Sequence, residues 1–402
     1  MKILVVLPRI PFPLDKGDKL RAYYQIRELS KRHDIYLFCL THSAPQPSQI
    51  EALRPFCRDI RIVRLNLLVC YKNILRNWFF SKSLQMGYWD NKRARRRFKD
   101  FEAEVQPDVI YNQMVRTMPL VARSSRPKVM DFQDALSMNT ERRMERSRGF
   151  WRYILHYEFK MLRSSEYNSF SIFDGLTIIS EVDSEAIPHK KNGEIIIVPN
   201  GVDFDRFSPG NVDVPPSQHY SVVFCGNMAY PPNIDAARFL AQEIMPLVWK
   251  QMPSATLLLA GADPKPAVRV LESSHVHVSG RLPDIRTAYA SSEVFVAPMR
   301  IGSGLQNKLL EAMAMHLPCV STTLAATPLR ATAGEHLLVA DSPRQMADHI
   351  VSLLQSEQLR HRIDDAAHQF VQQHFSWQAA VQPLEQLLNE QLESKQAGQI
   401  QE

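Results

Sequence analysis

Short runs of consecutive apolar residues alternate along this chain with stretches in which apolar positions recur every three or four. The first run, residues 1–7 with Ile3-Leu4-Val5-Val6-Leu7 at its heart, reads as a buried strand. A loop over 8–17, a helical pattern over 19–31 and an alternating run over 34–40 follow. Strand, loop, helix and strand at this spacing predict a βαβ unit and hence a parallel sheet. Residues 108–111, 128–131, 175–180 and 194–198 read as later strands of that sheet. Pro199-Asn200-Gly201 breaks the pattern, and the loop-rich segment 199–216 reads as a linker. A second alternation then begins, with strands expected over 221–225, 255–260, 275–279, 294–297, 318–321 and 336–339. Helices are expected at 235–249, 305–315 and 344–354.

The pattern therefore predicts an α/β chain of two Rossmann-like, doubly wound parallel-sheet domains, 1–198 and 217–375. A C-terminal helix and polar tail would occupy 376–402, frayed from 393 onward. Ligands of such sheets bind outside the carboxyl ends of the strands. The loops 8–17, 133–137, 226–232, 261–264, 280–283 and 299–304 all follow strands, and are expected to face one another across an interdomain cleft.

Composition adds a class. At 402 residues, 45% hydrophobic and 22% charged, the chain is an ordinary globular protein too long for one core. Cys39, Cys57, Cys70, Cys225 and Cys319 are odd in number, widely spaced and never in a Cys-x-x-Cys pair. Neither a disulfide framework nor a zinc site is indicated, and a reducing cytoplasm fits. The first apolar run is too short for a secretory signal and is stopped by Pro8-Arg9.

The net charge of +6 hides an asymmetry. Residues 1–150 hold 29 Lys/Arg against 15 Asp/Glu, and residues 151–402 hold 19 against 27. A basic half implies an anionic partner. The stretch 61–76 with Trp78-Phe79-Phe80 mixes cationic, aliphatic and aromatic residues as an interfacial membrane segment does. Lys92-Arg93-Ala94-Arg95-Arg96-Arg97-Phe98-Lys99 would attract an anionic leaflet. Peripheral contact with a membrane is expected, and nucleic acid is not the expected partner.

The chemistry concentrates in Gly302-Ser303-Gly304-Leu305-Gln306-Asn307-Lys308-Leu309-Leu310-Glu311. A Gly-x-Gly loop opens a helix whose start offers N–H groups and a positive dipole end to phosphate. Lys308 falls in the first turn. Glu311, a turn further on, is placed to accept hydrogen bonds from a ribose diol. These are the parts of a nucleoside-diphosphate site. Arg281 and Arg300 follow expected strand ends, where a planar cation reaches phosphate oxygens. Lys16, Gly17 and Arg21 lie in or just after the loop that follows the first strand, and Gly17 would permit close approach by donor or acceptor. Asp203-x-Asp205 reads as turn chemistry, and no metal site is expected.

The segment Ile197-Val198-Pro199-Asn200-Gly201-Val202-Asp203, with Phe207-Ser208-Pro209, resembles the interdomain segment of family 4 retaining glycosyltransferases of the GT-B fold. The stretch 302–315 and Pro318-Cys319-Val320 resemble their donor helix and following strand. The resemblance runs from the first strand to Phe375-Ser376-Trp377. The subgroup it is most similar to is that of exopolysaccharide-associated sugar transferases, echoed in residues 9–21, in Asp131-Phe132-Gln133-Asp134, and in Gly226-Asn227-Met228 with Pro232-Asn233. It implies a metal-independent hexosyl transfer from a nucleotide sugar, with no cofactor, to a glycan hydroxyl, the acceptor carried on a polyprenyl diphosphate at the cytoplasmic face of the inner membrane. It implies catalytic roles for Asp134, Lys308 and Arg300, and donor contacts from Glu311, Gly302, Ser303, Gly304, Asn307, Arg281 and Gly226. Lys16, Gly17, Arg21 and Asp131 would serve phosphate or acceptor.

Two departures stand out. Ser303 occupies the position of a usual Glu, and Gly226-Asn227-Met228-Ala229-Tyr230 lacks the usual Arg and Lys. Two other readings use the same residues: a GT-B nucleotide-sugar epimerase, and a non-catalytic protein binding a membrane surface or nucleic acid. The nucleotide-like motif argues against the second.

Overall fold

The computed structural model describes residues 1–145, 147–214, 218–301 and 304–400. It contains two compact units, one of Met1–Pro199 with Val381–Glu402 and one of Asn200–Ala380.

The first unit is built on a seven-stranded sheet: β1 (Lys2–Leu7), β2 (Asp34–Thr41), β3 (Asp59–Arg64), β4 (Val109–Gln113), β5 (Lys128–Asp131), β6 (Gly175–Ile178) and β7 (Ile196–Ile197). Their order is β3-β2-β1-β4-β5-β6-β7, and every ladder is parallel. Central strands of such a sheet are covered on both faces, which is why they read as unbroken apolar runs. Ile3, Leu4, Val5 and Val6 are fully buried, in register with Ile35, Tyr36, Leu37 and Phe38 of β2. Strand order reverses between β1 and β4, which makes the carboxyl ends there the expected ligand crevice.

β3 was not expected. Its sequence Asp59-Ile60-Arg61-Ile62-Val63-Arg64 pairs only with β2, and an edge strand tolerates charged side chains. The basic stretch 61–76 is thus two elements, the end of β3 and most of a helix, Leu67–Phe79. The second basic run lies on the helix Lys92–Val105.

The second unit carries six parallel strands: β8 (Tyr220–Cys225), β9 (Leu257–Ala260), β10 (Val276–Gly280), β11 (Ser292–Ala297), β12 (Cys319–Ser321) and β13 (Leu338–Val339). Their order, β10-β9-β8-β11-β12-β13, reverses between β8 and β11.

The last helix spans Trp377–Ile400. It starts in the second unit and from Val381 belongs to the first. Leu384 and Leu388 are fully buried, Glu385 pairs with Arg32 and His33, and Leu387 packs against Gly175. No helix among the described residues is long and apolar enough to cross a membrane.

Candidate active site

In the second unit the chemistry gathers at the β8/β11 reversal. The helix Asn307–Ala314 follows the strand-end loop of β11, with Lys308 and Glu311 on adjacent turns. Lys308 Nζ donates to Asn233 Oδ1 at 2.7 Å and lies 4.9 Å from the ring centre of Phe224 on β8. Burial lowers its pKa to about 8, against the pull of Cys225 and Glu311. Glu311 keeps part of its surface open while protein packs round its carboxyl group. That burial raises its pKa. The Tyr289 hydroxyl, donating to Oε2 at 2.8 Å, and the charges of Arg206 and Lys308 oppose the rise. A lysine and a carboxylate held this close to apolar walls interact more strongly with a ligand's charge than exposed ones do.

Tyr289 and Arg206 were not singled out in the sequence, and Asn233 entered only through the resemblance, with no role assigned. Asn233 fixes Lys308 from one side. From the other, its Nδ2 donates to Asn227 O at 3.0 Å, closing the turn after β8. Its role does not follow from local sequence, since the partners lie 75 and 6 residues away.

Three glycines end the neighbouring strands β8, β9 and β10. Gly226 N donates to Ala260 O, and Gly261 N to Gly280 O. A Cβ on Gly261, where φ is +146°, would come within 1.7 Å of Gly226 O. A Cβ on Gly226 would meet Asn233 Nδ2 at 2.7 Å. Gly261 needs glycine because two backbones meet there, whereas Gly226 leaves room for the Asn233 side chain. Gly304 has φ +76°, and its carbonyl accepts from Gln306 Nε2. Asn307 is the first residue of the helix and is partly exposed. Gly302 and Ser303 lie outside the described residues.

Arg300, expected to serve the donor phosphates, is ion-paired at the surface. Its guanidinium is bidentate on Asp235 (2.8 and 3.1 Å), reaches Glu243 at 3.3 Å and stacks on Phe239. Two carboxylates already match its charge. Arg281 is exposed, 3.9 Å from Asp263, at the rim of a cavity of about 500 Å³ beside Gly280. Asp203 accepts from Asp205 N at 3.1 Å, consistent with a turn. Among the described residues, His316, Asp364 and Asp365 offer three possible ligand atoms within 4.8 Å of one another.

In the first unit, two expectations need correction. Arg21 and Asp131 are both fully buried and bonded to each other, at 2.6 Å (Nε to Oδ2) and 3.2 Å (Nη2 to Oδ1). Tyr111 OH also reaches Asp131, at 2.9 Å, and Arg21 Nη1 donates to Pro199 O. The pair ties the first helix, Gly17–Leu29, to β5 and leaves neither side chain exposed. Arg21 and Gln25 lie on the inward face of that helix. Lys16 is exposed at the helix start. A Cβ on Gly17 would meet no protein atom, so packing does not require glycine there.

Asp134 stands out from its neighbours. The N–H groups opening the helix Leu136–Glu145 are taken by others: Ala135 N donates to Asp183 and Ser137 N to Glu166. Asp134 is therefore not the cap its residue type suggests. Its Oδ2 accepts from Asn139 Nδ2 at 2.7 Å, and its Oδ1 has no hydrogen-bond partner among the described residues. Burial, then repulsion from Asp183, raises its pKa to about 6, with Arg116 opposing. Glu166, fully buried, is raised to about 7 by the same cause. The residues just past the ends of β4 and β5, Met114 and Gln133, hold φ of +69° and +67°. Left-handed backbone at non-glycine residues marks strain that a site has to justify.

Comparisons with known proteins bear on this arrangement. Residues 219–356, within the second unit, match the family described as Glycosyl transferases group 1. Over 396 residues the chain is 21% identical to an uncharacterized 44.6 kDa protein in the cps region of Klebsiella pneumoniae, covering 93% of this chain and 96% of that one. Sucrose-phosphate synthase from Thermosynechococcus elongatus superposes with a TM-score of 0.67 at 14% identity, covering 98% of this chain and 100% of that one. HepE from Anabaena, solved in complex with UDP-glucose, gives 0.65 at 16%, covering 97% and 100%. At these identities the likeness is one of fold, and the fold is GT-B: two Rossmann-like units, each on a parallel sheet.

Proposed function

We propose that this protein is a retaining glycosyltransferase of family 4. It moves a sugar from a nucleoside-diphosphate donor to a hydroxyl of a lipid-linked glycan, in exopolysaccharide or cell-surface polysaccharide synthesis. The observation that carries the reading is the Lys308–Glu311 pair at the strand-order reversal of the second sheet. The match to Glycosyl transferases group 1 spans that pair, the structurally similar HepE was solved with UDP-glucose, and the sequence relative lies in a cps region.

When the bond between sugar and diphosphate breaks, negative charge grows on the departing oxygens. A cation placed beforehand, in a site with apolar walls, stabilises that charge more than it stabilises the substrate. Lys308 supplies the cation, and the start of its helix adds a positive dipole end. Glu311, held by Tyr289, is placed to accept hydrogen bonds from the ribose and fix the donor's register. The diphosphate leaves without need of a metal in this scheme. Asp134 on the first unit, with one oxygen open and a pKa near 6, serves the acceptor hydroxyl or the charge developing at the anomeric carbon.

Glu311→Ala should lower kcat/KM for the nucleotide sugar by roughly 10- to 1,000-fold, about 1.4–4 kcal/mol. The measurement is release of nucleoside diphosphate in the presence of a polyprenyl-diphosphate-linked glycan. Release that depends on acceptor marks transfer, and interconversion of sugars without it would mark an epimerase. Near-normal turnover in the variant would remove Glu311 from the site.

A further inference from the structure

The helix Leu67–Phe79 is inside out. Its buried positions are Cys70, Asn73 and Asn77. Leu68, Tyr71, Leu75 and Phe79 recur at three and four residues, so they share one face, and they are 79, 59, 63 and 82% exposed. The inward asparagines are satisfied: Asn73 Nδ2 donates to Asp90 O at 2.7 Å and Asn77 Nδ2 to Ser83 O at 2.9 Å. Gly87 admits Asn77, since a Cβ there would lie 2.7 Å from its Nδ2. The polar face is thus the packed one. The apolar surface runs on through Trp78, stacked 5.0 Å from Tyr157, to Tyr153 and Phe150 on the same face of the helix Gly149–Ser169. Contiguous exposed apolar surface of this kind marks a contact surface.

Beside it opens a cavity of about 750 Å³ lined by Arg76, Lys82, Lys92 and Arg95, with Phe80 at its edge. One carboxylate, Asp90, answers these four cations, pairing with Arg76 at 3.2 Å and with Arg95. Arg95 Nε is buried with no hydrogen-bond partner among the described residues. Lys92 and Arg95 also open the helix Lys92–Val105, whose positive dipole end repels them. An anion in the cavity would offset the excess charge.

We propose that this surface docks on an anionic phospholipid leaflet. Leu68, Tyr71, Leu75 and Phe79 enter the interface, and a lipid phosphate occupies the cavity among Arg76, Lys82, Lys92 and Arg95. The juxtaposition selects a lipid: one molecule brings both the apolar medium for the helix face and the phosphate for the cavity. The inference rests on the reading of the protein as an enzyme that works on a membrane-borne acceptor.

The test is co-sedimentation of the full chain with vesicles of phosphatidylcholine alone or mixed with phosphatidylglycerol. Each preparation is also tested for a thermal shift with nucleoside diphosphates. The wild type should bind only the mixed vesicles. Lys82→Ala/Lys92→Ala should weaken that binding about 30-fold, from roughly 1 kcal/mol per surface cation. Leu68→Ser/Phe79→Ser should abolish it without lowering the melting temperature, because neither side chain is packed. Equal binding to both vesicles, or binding unchanged in the lysine variant, would overturn the proposal. So would stabilisation by inorganic pyrophosphate with no vesicle binding, which would mark a site for free phosphate. A nucleotide shift with no vesicle binding sinks the docking surface alone, and vesicle binding with no nucleotide shift sinks the transferase reading.

Discussion

Asp134 and Lys308 are each held away from their ordinary protonation, and in opposite senses. The Asp134 carboxyl titrates near 6 in the folded chain against an ordinary 3.8. Folding therefore favours its protonated form. That contribution is whole below pH 3.8 and is lost as pH rises through 6. Asp134→Asn should raise stability at pH 8 by about 1–3 kcal/mol, and thermal melts should show the gain shrinking toward pH 4. If its carboxylate works in transfer, kcat/KM should climb through pH 6 in the wild type, and the variant should lose that limb. Strain kept for function has this signature: the residue that destabilises the fold is the one the reaction needs. Lys308 behaves in reverse. Its pKa near 8 means that raising the pH past 8 discharges the free site, so affinity for a nucleoside diphosphate should fall there. Binding titrations from pH 7 to 9 would show it, and a flat profile would place the lysine away from the phosphates.

At the scale of elements, much was legible because the signals were local. The buried strands announced themselves as unbroken apolar runs, and β5 lies at residues 128–131 as expected. The helix carrying Lys308 and Glu311 followed from a glycine loop and an apolar period. What stayed hidden depends on distant partners. The Arg21–Asp131 pair spans 110 residues, and nothing near either residue says that its charge points inward. β3 was obscured by its charges, which an edge position permits. The helix Leu67–Phe79 is the sharpest case. Its apolar period is plain, but period alone does not tell which face is packed, and here the core side is Asn73 and Asn77. Gly87→Ala tests that packing. The added methyl would press on Asn77 at 2.7 Å and should cost about 1–3 kcal/mol in thermal or urea unfolding. An unchanged midpoint would mean that the asparagine face is loose.

At the scale of the whole molecule, the chain closes on its first unit with its last helix. Leu384 and Leu388 are fully buried there, and Arg32 and His33 hold Glu385. Deleting residues 381–402 should remove at least about 3 kcal/mol, from two buried leucines, from the stability of the first unit. A melt of the truncated chain should show an early transition, with the second unit's transition little moved. The proposed function rests on that second unit, where the match to Glycosyl transferases group 1 spans a lysine and a glutamate one turn apart. The most direct test is nucleotide binding. The full chain would be titrated with UDP, GDP and ADP and with their sugars, with and without EDTA, alongside Glu311→Ala and Lys308→Gln. One base should bind, EDTA should leave the binding intact, and both variants should weaken it at least tenfold. Binding of none, or binding unchanged in both variants, would contradict the proposed function.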